Sequence, residues 1–277
     1  MKTHGIHLGT RSARVVSWLV LLGIGWAVVP AASAGHIRYP ALGNIRLPQG
    51  TIEMWLIPTF EPEAPIEGNL FVRRLFHVGQ DADNALTLMW RTTVSTQPST
   101  AVPAGVQRGG FYPTGRIGGK HYVPPVRAWH VVGQHDQGWS KGEPRHVAFC
   151  WDGSRVWWIV DGEETVSRQQ DRAIAFNIHE GTHIIIGRPQ GETGFIVRDI
   201  RISSIPRSTE TVGYHYPEGA PADLHTLLLD RLDEPFEPDG DQQTRPVVLA
   251  PMGGHRGGIP DETTSFVDTP FGTGLKL

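Results

Sequence analysis

The chain has 277 residues, 33 of them Gly and 22 Pro, and a formal net charge of −3. That length holds one large β domain or two small ones, and Gly and Pro spread between apolar runs suit many turns between short strands. The single cysteine, Cys150, excludes an intrachain disulfide, so the fold must rest on its core.

Residues 1–34 read as a secretory signal. Lys2, Arg11 and Arg14 form a positive start without an acid. Residues 15–29 form an apolar core, and Ala32-Ser33-Ala34 is a small-x-small cleavage site. The apolar run is short for a bilayer span; an uncleaved anchor is the alternative. The protein is expected to be secreted, or periplasmic and envelope-associated, with no transmembrane span after cleavage. Cleavage leaves 22 basic and 28 acidic residues, a net charge of −6. That balance argues against nucleic acid or an anionic membrane surface as the main partner.

The mature part, 35–277, shows strand signals and no sustained helical period. Apolar runs over 50–57, 70–78 and 85–90 are closed by Pro58, by Gly79 and by a polar stretch. Residues 92–142 are rich in Gly, Pro, Ser, Thr, His and aromatics and read as long loops with one or two strands, around 110–112 and 126–132. Long loops on a sandwich commonly carry binding function. Runs over 145–151 and 155–160 follow, each ended by an Asp-Gly pair, the strongest short hairpin signal. Cys150 lies inside the first and reads as a small buried hydrophobe. Strands over 183–187 and 195–203 complete the series. Short strands at this spacing predict an all-β antiparallel sandwich.

Five segments, in order, resemble the strands of laminin-G-like, concanavalin A-like jelly rolls. They are Gly50-Thr-Ile-Glu-Met-Trp-Leu-Ile-Pro58, Arg145-His-Val-Ala-Phe-Cys-Trp-Asp-Gly153, Trp157-Trp-Ile-Val-Asp-Gly162, Ile184-Ile-Ile-Gly187 and Gly194-Phe-Ile-Val-Arg-Asp-Ile-Arg-Ile-Ser203. Residues 226–233 and 271–277 are similar to the first two strands of that family, which normally precede the Gly-Thr-Ile-Glu strand. The resemblance therefore implies a circularly permuted jelly roll spanning 35–277, with 226–277 supplying the family's first strands and 234–269 forming a surface loop. A truncated second repeat is the competing reading.

Catalytic signatures are sparse. Glycoside hydrolysis needs two carboxylates on fixed elements, and Glu53 is a single acid on its strand, expected to face solvent. Asp81, Asp83 and Asn84 offer three hard oxygen donors for calcium; a turn held by the same side chains is the other reading. His121, His130, His135 and His146 contain enough imidazoles for zinc, but at no known ligand spacing. Tyr122, Trp129 and Trp139, with Arg127 and His135, are the candidate glycan-binding set: sugar rings stack on aromatic faces while polar groups take the hydroxyls. The same aromatics could instead pack the loop onto the sandwich. The expected function is an exported, non-catalytic binding or adhesion module, with a glycan or an envelope or extracellular protein as partner. An enzyme of the same sandwich class is the alternative.

Overall fold

Period-two alternation produces strands here because one face of each must be buried. The structure, a computed structural model, describes residues 35–62, 70–79, 84–94, 107–117, 120–123, 139–169, 173–188, 193–232, 259–260, 265–269 and 272–276. In chain order the strands are β1 (His36–Pro40), β2 (Gly50–Pro58), β3 (Leu70–Gly79), β4 (Ala85–Val94), β5 (Gln107–Ile117), β6 (Lys120–Val123), β7 (Arg145–Trp151) and β8 (Arg155–Val160). They continue with β9 (Glu163–Gln169), β10 (His183–Gly187), β11 (Phe195–Ser203), β12 (Thr226–Asp230), β13 (Ile259–Pro260), β14 (Ser265–Thr269) and β15 (Gly272–Lys276). A single 3₁₀ turn, Gly213–His215, lies between β11 and β12. The fold is an antiparallel β-sandwich, as expected.

Two sheets divide these strands. The seven-stranded sheet runs β13-β1-β10-β3-β4-β5-β6, and the eight-stranded sheet runs β14-β15-β11-β2-β7-β8-β9 with β12 also on β11. Between them sits one apolar core built from Phe76, Leu88, Trp90 and Phe111 on one side and Ile52, Leu56, Phe149, Trp151 and Trp158 on the other. Trp90, Phe111, Trp139 and Phe195 pack edge-on or tilted, with centroids 5.2–5.9 Å apart. Tyr39 crosses the core and donates its hydroxyl to Asp230 at 2.9 Å, tying β1 to β12.

The two Asp-Gly pairs behave differently. Asp161 (φ 50°) and Gly162 (φ 82°) form a two-residue turn between paired Val160 and Glu163, the geometry that demands left-handed backbone. The Asp152 carboxylate instead accepts from the Ser154 and Arg155 amides in a four-residue loop.

The tail lies in the eight-stranded sheet. β12 pairs with residues 200–203 of β11 and β15 pairs with residues 196–197 of the same strand. A bulge between Arg198 and Arg201, with Asp199 at φ 51°, separates the two contacts. The strand therefore bends and presents its two halves to two different partners. The stretch expected as a surface loop, 234–269, contains β13 and β14, which corrects that expectation: β14 pairs antiparallel with β15 over five positions. The sequence missed β9 because Glu163-Glu164 and Gln169 make it polar, as edge strands tend to be.

Candidate functional site

The residues singled out for ligand binding do not converge among the described residues. Trp129, Arg127 and His135 lie outside them, as do Asp81 and Asp83 of the calcium set. Asn84 is half-buried immediately before β4. Tyr122 lies where β6 skips a residue in its pairing with β5. Trp139 is placed clearly, and against the expectation. It is buried, its ring packs on Trp90, Phe111 and Phe195, and its indole N–H donates to the Glu143 carbonyl at 2.7 Å. Its faces are occupied by core aromatics, so no sugar can stack on it. His121 and His146 sit on opposite sheets and cannot share a metal. No group of three His, Cys, Asp or Glu able to hold a metal occurs among the described residues.

Glu53 is a second correction. It faces away from the core, but solvent does not reach it, because residues 204–225 fold over that side of the eight-stranded sheet. The strand is consequently buried on both faces. One Glu53 oxygen accepts from Arg201 Nε at 2.5 Å; the other accepts from the Gly213 amide at 2.5 Å and lies 3.3 Å from His146 Nε2. Arg207 Nε approaches to 3.6 Å, and its Nη2 pairs with Asp223 at 2.8 Å. Glycine suits this close approach, since a Cβ at Gly213 would stand 3.0 Å from the imidazole and 3.2 Å from the carboxylate and would push them by a few tenths of an ångström.

Burial alone would raise the Glu53 pKa. The hydrogen bond from His146, the charges of Arg201 and His146 and the Arg201 hydrogen bond outweigh it and hold the group at about 2. Such a carboxylate has no proton to give and no water to activate. It is a structural ion, and its chemistry is to anchor the 204–225 segment. Cys150 lies on the same covered side. Burial pushes its thiol up to about 12, so it has little thiolate and is inert, as read from sequence.

The outer side of the seven-stranded sheet is different in kind. Its strands contain Arg38, Arg73, Arg74, Arg91, Arg108, Arg116 and Lys120, four histidines, and no Asp or Glu. The strands of the other sheet balance acids and bases. Directly paired residues in an antiparallel sheet share a face, so the register fixes which positions look outward. Core residues Phe76, Leu88, Trp90 and Phe111 define the inner face. Arg38, Arg74, Arg91, Arg108 and Arg116 then occupy outer positions, together with His36, His77, His121 and His183, Thr87, Thr93, Thr114, Met89, Tyr112 and Ile185. Arg73 and Lys120 fall at the other register positions; Arg73 points to the inner side, donates to the Thr193 carbonyl at 2.7 Å and covers the Phe60 ring.

Arg38 and Arg188 are exposed, and Arg74, His77, Met89, His183 and Ile185 are half-buried. Burial and the adjacent Arg188 charge lower the Arg74 pKa. Burial, and then the charge of Arg74, pushes His77 down to about 4, where its Nδ1 lies 2.8 Å from the Thr87 hydroxyl. His77 is therefore neutral at ordinary pH. Its folded pKa lies below the unfolded value near 6.5, so protonation favours unfolding. Stability is whole above pH 6.5 and falls between pH 6.5 and 4, by on the order of 3 kcal/mol for this group. A His77→Gln variant keeps a polar partner for Thr87 and removes the titration. Its melting temperature is expected to change less than the parent's across that window; equal slopes would show that His77 does not titrate this way.

No protein-family profile and no curated protein sequence matches the chain. Similar solved structures include a Bacteroides ovatus protein described as carbohydrate-binding, at 15% identity and TM-score 0.47 over 89% of this chain and 60% of that one. Domain 4 of an extracellular arabinanase from Geobacillus stearothermophilus, in complex with arabinotriose, is similar at 15% identity and TM-score 0.40 over 63% of this chain and 69% of that one. The enzymatically active domain of bacteriophage CBA120 tailspike protein 2 is similar at 10% identity and TM-score 0.46 over 72% of this chain, which spans only 28% of the tailspike chain. All three TM-scores lie below 0.5, so the ligand chemistry must be read from this chain's own residues.

Proposed function

We propose that this protein is an exported, non-catalytic carbohydrate-binding module of laminin-G-like type, and that its ligand lies across the outer side of the seven-stranded sheet. The observation that carries this reading is the contrast between the two sheets. One outer side is sealed by residues 204–225. The other presents a partly open surface that includes exposed Arg38 and half-buried Arg74, His77 and His183. Such groups supply donors and acceptors for hydroxyls, with the half-buried Met89 and Ile185 as apolar positions between them. Its strands contain no carboxylate, so the two-carboxylate route to glycoside hydrolysis has no residues there among the described strands. Calcium at Asp81, Asp83 and Asn84 remains a separate proposal, to be tested in the same assay.

The test is the exported protein on a glycan array, run with calcium and with chelator, alongside reducing-sugar release on the glycans bound. Saturable binding without release supports the module. Release of sugar would identify an enzyme, and silence across the array in both buffers would remove carbohydrate from the account.

A further inference from the structure

We infer that the ligand of this face is an anionic polysaccharide, whose repeated carboxylate or sulfate groups meet the exposed Arg38 and Arg188 and the half-buried Arg74. The inference rests on the carbohydrate reading above and narrows it to a charge class.

The argument begins with position. The sheet register divides the outer face into successive rows of directly paired residues. One row contains Arg116, Ala85 and His121; the next contains Arg38, Ile185, His77, Thr87 and Thr114. The third contains Arg74, Met89 and Tyr112, the fourth Val72, Arg91 and Gly110, and the fifth Leu70, Thr93 and Arg108. Each of the five rows contains one arginine and no acid. Neighbouring rows on one face are two residues apart, which is about 7 Å along a strand. The arginine positions thus fall in successive rows along the strands instead of being gathered in one.

The second step is charge. The whole chain is net acidic at −3, and the eight-stranded sheet balances its acids and bases. Seven Arg and Lys without a single acid in the strands of the other sheet is therefore a local excess. Arg74 has no carboxylate partner among the described residues, and the charge acting on it is another guanidinium, that of Arg188. An uncompensated, half-buried arginine is stabilised when an anion arrives, and guanidinium groups bind carboxylate and sulfate oxygens in a bidentate fork.

The third step is the kind of anion. Duplex nucleic acid presents a charge about every 1.7 Å of its axis, far denser than one arginine per row, and the net negative charge of the chain opposes its approach. Single-stranded nucleic acid needs a run of stacking aromatics, and the described outward positions include one tyrosine. Between the arginines stand the half-buried His77 and His183, which can pair with hydroxyls lying between a polymer's charges. An acidic polysaccharide has both features.

Binding of the exported protein to five probes tests this: polygalacturonate, dextran sulfate, neutral dextran, poly-glutamate and duplex DNA. The expected result is saturable binding to polygalacturonate or dextran sulfate, weakened at least ten-fold by either Arg38→Glu or Arg188→Glu. Both residues are exposed, so both variants should fold. Binding should also weaken with added salt, while a matched reversal on the other sheet, Arg155→Glu, leaves it unchanged. Polygalacturonate alone would identify carboxylate, and dextran sulfate alone would identify sulfate. Binding to neutral dextran or uncharged array glycans only, insensitive to the arginine variants, would overturn the anionic assignment and leave the carbohydrate reading standing. Tighter binding to DNA or poly-glutamate than to either acidic polysaccharide would overturn the inference. Binding to no polysaccharide at all would remove both readings.

Discussion

A Glu53→Ala variant is expected to lose on the order of 3–5 kcal/mol of folding stability, the range seen when one partner of a buried ion pair is removed. The substitution leaves Arg201 buried without the carboxylate that it binds at 2.5 Å, and it frees the Gly213 amide. Arg207 and His146 lose the same neighbour. The anchor of the 204–225 segment goes with them, although Arg207 keeps its bond to Asp223 and Arg201 keeps the carbonyls of Pro221 and Thr211. Urea denaturation of parent and variant measures the loss. A change below about 1 kcal/mol would contradict the network as described. A double variant, Glu53→Met with Arg201→Met, should recover part of the loss, because it removes the uncompensated charge along with its partner.

The same carboxylate sets the acid limit. Its folded pKa of about 2 lies below its ordinary value of 4.5. Its contribution is therefore complete above pH 4.5 and drains away as pH falls toward 2. This window lies below the one assigned to His77. The parent should lose stability in two stages on acidification, and a Glu53→Gln variant should lack the second.

Truncation before Thr226 is expected to abolish folding. Such a chain loses β12, β14 and β15, and with them the buried side chains of Leu227, Leu228, Leu229 and Leu275. Each buried leucine reduced to alanine costs about 2–5 kcal/mol. Losing four exceeds much of the 5–15 kcal/mol that a typical domain has in total. Truncation also exposes the free edge of β11 and strands the buried Tyr39 hydroxyl. Near-ultraviolet circular dichroism and limited proteolysis would show the loss of packing. A truncated chain that still folds would mean that the tail decorates the sandwich without completing it, contrary to a domain spanning 35–277.

Seven of the strands were legible in the sequence with nearly their observed limits, because each alternates or masses apolar residues between turn formers. Ile52, Met54 and Leu56, at period two, already marked the core face of β2. Strands with weak local signals were not legible. β5 contains Gly109, Gly110, Pro113 and Gly115, and is a strand because β4 pairs with it along ten positions. β14 is a strand because β15 returns beside it. Sheet pairing is non-local, and no window of sequence displays its partner.

The candidate sites divide along the same line. Trp139 was a reasonable stacking residue in isolation, and only the arrival of Trp90, Phe111 and Phe195 around it makes it core. Glu53 alternates like a solvent-facing residue, and only residues 204–225, some 150 positions away, bury it. The arginines from Arg38 to Arg116 were each visible, but scattered over nearly 80 residues they formed no motif.

Sequence alone determined the β-sandwich class, the positions of most strands and the burial of Cys150, because these follow from local periodicity and turn chemistry. Tertiary structure decided which acid is buried, which tryptophan is unavailable, that the tail pairs with β11, and that the described strands of one sheet bring arginine positions without an acid to one outer face. Those outcomes depend on register across strands distant in sequence, where a shift of one residue would exchange the inner and outer faces.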